Sequence, residues 1–396
     1  MEKKNILIVG GGFAGFTAMS NFAAHSRVWD SDFSLILADP KKHFEFLPML
    51  PDVVRGRVRP ETLRQSLEEA CHSRGCVFLN KSVADVDVDG KTVKVGGKTL
   101  GYEYIIIASG SESDFYGNSE LKRSCFTMCS VEDAVSLRRE LLARISSKRE
   151  INVLVVGGGY TGVETACAVS LLLENAARRG RVMLAEKSSA LLSVSPQWIR
   201  DFSRSHLEGR GIEVLTDESL EKIDKGQALL GSGRTIEDVI CVWAAGVRNP
   251  EFLDDVPAQT FRTRLKVGSS MALYGQTGEK GIYVAGDAAG FYPGNSEIPL
   301  RQAVMFAIAQ GRVASANIMR DIRGKAPLKC RVKDLGYVIP LTGGKAPGIV
   351  LGVKTPPRIG FFLHYFMCFY RATLSGKMKM IRDILIKQRE EGDDEK

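Results

Sequence analysis

Near its N-terminus the chain reads Ile6-Leu7-Ile8-Val9-Gly10-Gly11-Gly12-Phe13-Ala14-Gly15, an apolar run followed by a glycine turn. The spacing Gly10-x-Gly12-x-x-Gly15, between a strand and a helix, is typical of a dinucleotide-binding turn. Gly10 permits the tight turn, Gly12 lets the backbone approach a pyrophosphate, and Gly15 lets the helix pack on the strand. The N-terminus of that helix then faces the phosphates. Alone, the motif is weak evidence, because glycine-rich turns are common.

The motif occurs twice. Residues 151–162 read INVLVVGGGYTG, and each of the three glycines lies 147 residues after its counterpart (157 − 10 = 147). An acid ends the second strand of each unit, and Asp39 and Glu186 are also 147 residues apart (186 − 39 = 147). An acid in this place bonds a ribose hydroxyl. The repetition predicts two nucleotide-binding units, although one copy could be a structural relic without a ligand.

Composition limits the alternatives. A chain of 396 residues is long enough for two to three domains, and its net charge of +8 suits nucleic acid, an anionic membrane surface or anionic cofactors. No helix-turn-helix, RNA-binding motif or metal-ligand spacing is present, so nucleic acid is the least favoured partner and no metal is expected. Eight scattered cysteines favour a reducing cytosol over a disulfide framework. The early first strand leaves no room for a signal peptide, so none is expected.

Further segments fit the same scheme. Residues 104–110 and 239–246 are apolar runs that end in small residues, which let the chain pass close to a dinucleotide. Residues 281–289 form an apolar strand that ends in Gly-Asp, either a plain turn or a carboxylate placed for a ribitol or ribose hydroxyl. A helix predicted from Pro299 to Arg323 would direct its positive end at a flavin ring. Residues 61–73 also read as a helix.

The C-terminal region has a different character. Residues 359–370 are dense in aromatic side chains, and residues 377–387 mix basic and apolar side chains at helical spacing. The apolar run is shorter than the roughly 20 residues that span a bilayer, but it suits helices lying in a membrane interface. The alternative is a hydrophobic hairpin packed on its own fold or on a dimer partner. We predict membrane-surface binding and leave a homodimer open.

These motifs together resemble the two-dinucleotide-binding-domain flavoproteins, and within them the type II (non-proton-pumping) NADH dehydrogenases. The resemblance extends over nearly the whole chain. The segments that carry it are the glycine turn at 10–15, the loop at 43–50 (H-x-F-x-P-L-L in the family), Ala-Ser-Gly at 108–110, GGGYTGVE at 157–164, WAAGV at 243–247 and Gly-Asp-Ala at 286–288.

The resemblance implies an α/β fold with two Rossmann-like dinucleotide-binding domains, for FAD and NADH, and a C-terminal α+β or helical membrane-associating region. It also implies a quinone or other small electron acceptor, and an enzyme peripheral to the cytoplasmic side of the membrane, or otherwise cytoplasmic. The expected boundaries are 1–112 (FAD domain, first part), 113–148 (crossover), 149–268 (NADH domain), 269–328 (FAD domain, second part) and 329–396 (C-terminal region).

The implied site residues form three groups. For FAD they are Gly10, Gly12, Phe13, Ala14, Gly15, Asp39, Pro40, Lys42, Val83, Ala108, Ser109, Gly110, Gly286, Asp287 and Ala303. For NADH they are Gly157, Gly159, Tyr160, Thr161, Gly162, Glu186, Ala245 and Gly246. Glu164 is the expected catalytic residue, positioning the nicotinamide or relaying protons, unless it only complements the helix dipole. The Glu186 carboxylate favours NADH over NADPH, because it repels a 2′-phosphate.

One departure leaves the acceptor open. In the family's helix motif A-Q-x-A-x-Q-Q-G, this chain has Met305 and Ala309 in place of two glutamines. The rival hypotheses are a sulfide:quinone or disulfide-type oxidoreductase that uses cysteines, and a flavin redox sensor. The candidate cysteines for the former are Cys71, Cys76, Cys125, Cys129 and Cys330.

Overall fold

The structure, a computed structural model, describes residues 3–147, 150–176, 180–275, 281–294, 296–371 and 383. In the first half of the chain the strands are β1 (Lys4–Val9), β2 (Phe33–Ala38), β3 (His43–Glu45), β4 (Arg64–Ser66), β5 (Val77–Leu79), β6 (Val83–Asp87), β7 (Thr92–Val95), β8 (Lys98–Gly101), β9 (Tyr104–Ile107), β10 (Glu112–Ser113), β11 (Ile151–Val156) and β12 (Gly180–Glu186). In the second half they are β13 (Glu213–Thr216), β14 (Leu220–Asp224), β15 (Gln227–Leu230), β16 (Thr235–Ile236), β17 (Val239–Trp243), β18 (Val247–Arg248), β19 (Thr260–Phe261), β20 (Arg264–Val267), β21 (Ile282–Val284), β22 (Ala289–Phe291), β23 (Gly336–Val338), β24 (Gly348–Val350) and β25 (Val353–Thr355). The α-helices are α1 (Phe13–Ala24), α2 (Leu50–Val54), α3 (Leu67–His72), α4 (Ser119–Ser124), α5 (Val131–Ser146), α6 (Tyr160–Asn175), α7 (Gln197–Glu208), α8 (Val304–Ile322) and α9 (Pro357–Arg371).

The first compact unit comprises Met1–Phe44, Gln65–Glu112 and Val247–Lys333. Its central sheet is parallel, in the order β21-β9-β1-β2-β5. β1 is buried along most of its length, as expected for a continuous apolar run in a parallel sheet covered on both faces. Helix α8 packs closely on α1 at Gly311, where an added Cβ would lie 2.2 Å from the carbonyl oxygen of Ala14.

The second unit comprises Glu45–Arg64, Ser113–Gly246 and Asp334–Lys396. Its parallel sheet has the order β13-β12-β11-β17, the same arrangement as β5-β2-β1-β9 in the first unit. Val9 pairs with Ala38 in the first sheet, and Val156, 147 residues later, pairs with Ala185 in the second. The internal duplication predicted from the glycine motifs is therefore confirmed at the level of strand order and register, and the α/β class with it.

Antiparallel sheets complete both units. The first contains β6-β7-β8, and the second contains β14-β15-β16 and β23-β24-β25. The domain boundaries inferred from the family resemblance stay a prediction, because compactness alone does not assign a ligand to a unit.

Two predicted helices differ from the structure. Only residues 67–72 of the segment 61–73 form an α-helix, which Ser66 caps by accepting a hydrogen bond from the Glu69 amide at 3.1 Å. The helix predicted from Pro299 begins at Val304 instead. Residues before it are held extended, since the Leu300 amide donates to the Phe291 carbonyl at 2.9 Å and Ala303 has an extended backbone.

In the C-terminal region, α9 confirms that the aromatic segment 359–370 is helical. The predicted helix over 377–387 lies outside the described residues apart from Asp383. The Asp383 carboxylate is buried in the second unit, where it accepts hydrogen bonds from Arg59 Nε at 2.8 Å and Thr62 Oγ1 at 2.5 Å. Within the described residues, no helix combines the length and apolar character that crossing a membrane requires.

Candidate cofactor-binding and active site

The first glycine turn owes its shape to two of its glycines. Gly10 has a left-handed backbone (φ 100°), and an added Cβ there would lie 2.3 Å from the carbonyl oxygen of Ala108. A Cβ on Gly15 would lie 1.8 Å from the carbonyl oxygen of Gly10. A Cβ on Gly12, by contrast, would meet no described atom within 4 Å. The backbone is therefore bare at the position where the motif needs close approach to a phosphate.

The second turn repeats this division. Gly157 is left-handed (φ 109°), and its added Cβ would lie 2.4 Å from the Ala244 carbonyl oxygen. A Cβ on Gly162 would lie 1.8 Å from the carbonyl oxygen of Gly157, whereas one on Gly159 would meet nothing within 4 Å. The two turns therefore have the same backbone geometry, and each keeps the open position that a phosphate would need.

The strand-end acids also stabilise the turns. Asp39 Oδ2 accepts a hydrogen bond from the Gly11 amide at 2.6 Å, and Glu186 Oε2 accepts one from the Gly158 amide at 2.6 Å. The second oxygen of each acid accepts from the amide two residues further along the chain, at 2.7 Å in both units. A carboxylate has about four lone-pair positions, so each acid retains capacity for a ribose hydroxyl. This role within the turn was not predicted from the sequence.

A buried, unsatisfied oxygen marks the end of β9. The Ala108 amide donates to the Val9 carbonyl at 2.8 Å, and Gly110 turns the chain with a left-handed backbone (φ 72°). Between them, the Ser109 hydroxyl is buried and has no hydrogen-bond partner among the described residues. Buried polar atoms are nearly always satisfied, so the Ser109 oxygen fits a position that contacts a polar ligand.

The Gly-Asp pair after β21 is fixed by side chains that sequence reasoning missed. The Gly286 amide donates to Gln310 Oε1 at 2.8 Å, and Gln310 is 1 % exposed. Ser111 Oγ donates to Asp287 Oδ2 at 3.0 Å. Burial raises the pKa of Asp287, while the Ser111 hydrogen bond and the charge of Arg264 oppose the rise. The Arg264 guanidinium donates to two backbone carbonyls, but its Nε is buried without a partner among the described residues.

The remaining residues expected to contact FAD also lie in the first unit. Phe13 is the first residue of α1, and its ring packs edge-on against that of Phe44 with 5.0 Å between the ring centroids. Lys42 is exposed. The other positions are Ala14, buried beside Gly286; Pro40, whose carbonyl accepts from Asn80; Val83, at the start of β6; and Ala303, the N-cap of α8.

All residues expected to contact NADH lie in the second unit. Tyr160 is the first residue of α6 and packs edge-on against Tyr337 at 5.3 Å, and Thr161 next to it is exposed. The Ala245 carbonyl accepts a hydrogen bond from the Tyr116 hydroxyl at 2.8 Å. Gly246 follows with φ 149°, and its added Cβ would lie 2.4 Å from that same hydroxyl oxygen.

Glu164 lies one turn into α6 and lines a cavity of about 30 Å³ within the second unit, together with Asp52, His364 and Tyr365. Burial raises the pKa of Glu164 to about 8, and the negative charge of Asp52 adds to the rise. The Glu164 carboxyl is therefore mostly protonated at neutral pH. Such a cavity has room for about one water molecule.

A hydrogen-bond network surrounds this carboxyl. Arg55 Nε donates to Asp52 Oδ1 at 3.0 Å, and the Tyr365 hydroxyl donates to the same oxygen at 3.0 Å while accepting from Arg55 Nη2 at 2.8 Å. Burial lowers the pKa of His364 to about 4, so its imidazole is neutral. The cavity thus contains the Asp52–Arg55 ion pair and two titratable groups, Glu164 and His364, that are neutral at pH 7. Asp52 and Tyr365 are 313 residues apart in sequence, so no local pattern could have indicated the network.

The cysteines of the rival hypothesis occupy separate places. Cys125 Sγ lies 3.3 Å from Cys241 Sγ, whereas Cys129 contacts the Ser113 hydroxyl at 3.1 Å. Cys71 and Cys76 are both buried, and a hydrogen bond between their side chains lowers the pKa of Cys71 and raises that of Cys76. Cys330 is buried as well.

Comparison with known proteins places the chain in context. It is 24% identical over 375 residues to a type II NADH:quinone oxidoreductase of Staphylococcus haemolyticus, which covers 89% of this chain and 90% of that protein. It is also 24% identical over 380 residues to the demethylphylloquinone reductase NdbB of Synechocystis, covering 93% and 92%. The solved structure of NDH2 from Plasmodium falciparum in complex with NADH shares the fold, with a TM-score of 0.84, 17% identity and 98% coverage of both chains.

These relatives confirm the resemblance to the type II NADH dehydrogenases that the sequence motifs indicated. The sequence profile of a wider family matches residues 4–316, which include both glycine turns and the Gly-Asp pair. The chain therefore belongs to the pyridine nucleotide-disulphide oxidoreductase family.

Proposed function

We propose that the protein is an FAD-dependent NADH dehydrogenase that passes two electrons from NADH to a quinone-type acceptor at a membrane surface, without pumping protons. The observation that carries the proposal is the pair of equivalent glycine turns, each bare at its central glycine and each fixed by a strand-end acid. Relatives of similar length, named NADH:quinone oxidoreductases, support it. FAD and NADH supply the hydride and electron chemistry when bound.

The first unit would hold FAD. The bare backbone at Gly12 and the N-terminus of α1 suit a pyrophosphate. Asp39 retains acceptor capacity for a ribose hydroxyl, and Asp287 suits a ribitol hydroxyl. The unsatisfied Ser109 hydroxyl offers a further polar contact.

The second unit would hold NADH. Gly159 and the N-terminus of α6 repeat the phosphate cradle of the first unit. Glu186, already anchored by two amides, would accept from a ribose hydroxyl and would disfavour the 2′-phosphate of NADPH. Lys187, next to Glu186, is cationic and would attract a 2′-phosphate, so some binding of NADPH is left open.

Glu164 would hold a proton for acceptor reduction. Reduction of a quinone by two electrons takes up two protons, and a carboxyl with a pKa near 8 is loaded at neutral pH yet can release its proton. The Asp52–Arg55–Tyr365 network fixes the wall of the cavity around it. In the first unit, Met305 and Ala309 carry no side-chain amide with which to bind an acceptor, so the identity of the acceptor is left to the experiment.

Helix α9 would bind the membrane surface. Its exposed side chains include Ile359, Phe362 and Phe366, of which Phe362 is 67 % exposed. Aromatic and aliphatic side chains on one helix, in a chain of net charge +8, suit the interface of an anionic membrane. We propose the cytoplasmic side, and the homodimer stays a prediction.

Anaerobic half-reactions test the proposal. The purified yellow protein is reduced with NADH, and flavin reoxidation is then followed with a short-chain quinone or, separately, with sulfur and disulfide acceptors. We expect fast bleaching and fast recovery with quinone. Recovery only with a sulfur acceptor would instead assign the protein to the cysteine-using branch, and slow recovery with every acceptor would indicate a redox sensor.

A further inference from the structure

A groove of about 870 Å³ lies in the second unit, and no residue of the glycine turn lines it. One wall is α7 and the other is the turn at residues 342–345. We call it the basic groove and define it by Trp198, Phe202, His206, Arg210, Thr342 and Lys345. The proposed dehydrogenase function assigns no role to any of these side chains.

The groove is held in shape by its own contacts. Gly343 and Gly344 both have left-handed backbones (φ 62° and 67°), and the turn they form is closed by a hydrogen bond from the Leu341 amide to the Lys345 carbonyl at 2.8 Å. Across the groove, His206 Nε2 lies 2.7 Å from Thr342 Oγ1. The two walls are therefore linked by a specific side-chain contact.

The groove is lined by two basic side chains, Arg210 and Lys345, and by one carboxylate, Asp201. Lys345 has no carboxylate within ion-pairing distance in the described part of the chain, and Arg210 shares its charge with Glu174 at 2.5 Å. Burial lowers the pKa of His206, and the charges of Lys345 and Arg210 lower it further. With Lys345 and Arg210 against Asp201 alone in its lining, the groove suits an anion.

The groove borders the helix proposed to bind membranes. The amide of Ala346, next to Lys345, donates to the Pro357 carbonyl at the start of α9 at 2.8 Å. Gly360 packs so closely that an added Cβ would lie 2.0 Å from the Ala346 carbonyl oxygen. Exposed apolar side chains lie on α9, where Phe362 is 67 % exposed, and between β24 and β25, where Leu351 is 64 % exposed.

We propose that the basic groove binds the phosphate headgroup of an anionic phospholipid and so fixes the orientation of α9 at the bilayer. Lys345 and Arg210 supply the charge, and the rings of Trp198 and Phe202 supply an apolar wall for the glycerol backbone. The adjoining exposed apolar surface favours a lipid over a soluble phosphate. This inference rests on the proposed function at a membrane surface.

Binding to vesicles is the first test. The full-length holoenzyme is sedimented with phosphatidylcholine vesicles that contain or lack phosphatidylglycerol. Since one basic residue near an anionic surface contributes about a fivefold change in binding at 25 °C, we expect Lys345→Gln to weaken binding to the anionic vesicles by about that factor. Lys345→Arg should restore it, and Lys222→Gln, which removes an exposed charge from β14, is the matched control.

A soluble headgroup separates a specific site from general attraction. Monomeric dihexanoyl-phosphatidylglycerol is titrated while tryptophan fluorescence is followed, with Trp198→Phe identifying the signal, because Trp29 and Trp243 are 1 % and 6 % exposed. We expect a saturable change that Lys345→Gln shifts to about fivefold higher lipid concentration and that dihexanoyl-phosphatidylcholine does not produce. Equal affinity for inorganic phosphate would overturn the assignment to a lipid, and equal responses of Lys345→Gln and Lys222→Gln would overturn the site itself.

The same samples distinguish this inference from the proposed function. Oxidation of NADH by a water-soluble quinone needs no lipid, so Lys345→Gln should retain it. Activity without a Lys345-dependent lipid response would reject only the groove. Loss of NADH oxidation in the unsubstituted holoenzyme would reject the dehydrogenase proposal, whatever the lipid result.

Discussion

Among single residues, Glu164 has the clearest consequences, because its folded-state pKa of about 8 lies well above its ordinary value of 4.5. Its carboxyl is neutral at pH 7, and burial keeps it so. The folded state therefore binds one more proton than the unfolded state between these two values. The stability that this proton contributes is full below pH 4.5 and is lost as the pH rises to about 8.

Replacement of Glu164 by Gln tests its chemical role. We expect flavin bleaching by NADH to be unchanged and the rate of quinone reduction at pH 7 to fall roughly 100-fold, since a positioned acid commonly contributes at least this much. The wild-type rate should decline as the pH rises through about 8, and the variant should lack this decline. Stopped-flow half-reactions across pH 6–10 measure both effects. Identical pH profiles in the two proteins would contradict the proposal, and Glu68→Gln, at an exposed carboxylate, serves as the control.

Gln310 illustrates a structural role that the sequence concealed. Substitution by Met should leave the buried Gly286 amide without an acceptor and lower the free energy of unfolding by about 1–3 kcal/mol. The flavin content should fall with it, because Asp287 follows directly. Denaturant titration and absorbance at 450 nm measure these changes, with Gln197→Met on the exposed start of α7 as a control. Unchanged stability would mean that the amide finds another acceptor.

At the scale of secondary-structure elements, the glycine turns could be predicted because each is a local pattern of about ten residues, and the strands around them followed. The residue at which α8 starts could not be predicted from the sequence. No residue after Pro299 in the segment 299–303 disfavours a helix. The segment is extended because the Leu300 amide donates a hydrogen bond to the Phe291 carbonyl and the Leu300 carbonyl accepts one from Arg264 at 2.8 Å. The network around Glu164 was likewise inaccessible, because it joins segments hundreds of residues apart.

The two turns offer a matched set of substitutions. Gly159→Ala should leave stability unchanged but weaken NADH binding, since its Cβ meets no described atom and would occupy the phosphate approach. Gly162→Ala should destabilise the second unit itself, because its Cβ would lie 1.8 Å from a carbonyl oxygen. Thermal melts and the NADH dependence of flavin bleaching separate the two effects. If both variants lost only stability, the bare backbone would have no part in binding.

For the whole molecule, the apolar part of the proposed membrane binding comes from one exposed face of α9. We expect the double substitution Phe362→Glu and Phe366→Glu to abolish sedimentation with anionic vesicles while leaving activity with a water-soluble quinone intact. Introducing carboxylates removes apolar contact and adds repulsion from an anionic surface. Leu142→Glu, at a leucine on α5 that is 38 % exposed, is the control. Vesicle binding that survives the double substitution would exclude this face as the membrane contact.

The buried carboxylate of Asp383 bears on how the protein can be shortened. It satisfies Arg59 and Thr62, which lie more than 300 positions earlier in the chain. A truncation that removes α9 and everything after it also removes Asp383, the acceptor of both groups. Poor yield or a reduced half-life of such a fragment would therefore carry no information about membranes. For crystallisation or for biosensor design, point changes on the helix surface are therefore the safer route to a detergent-free protein.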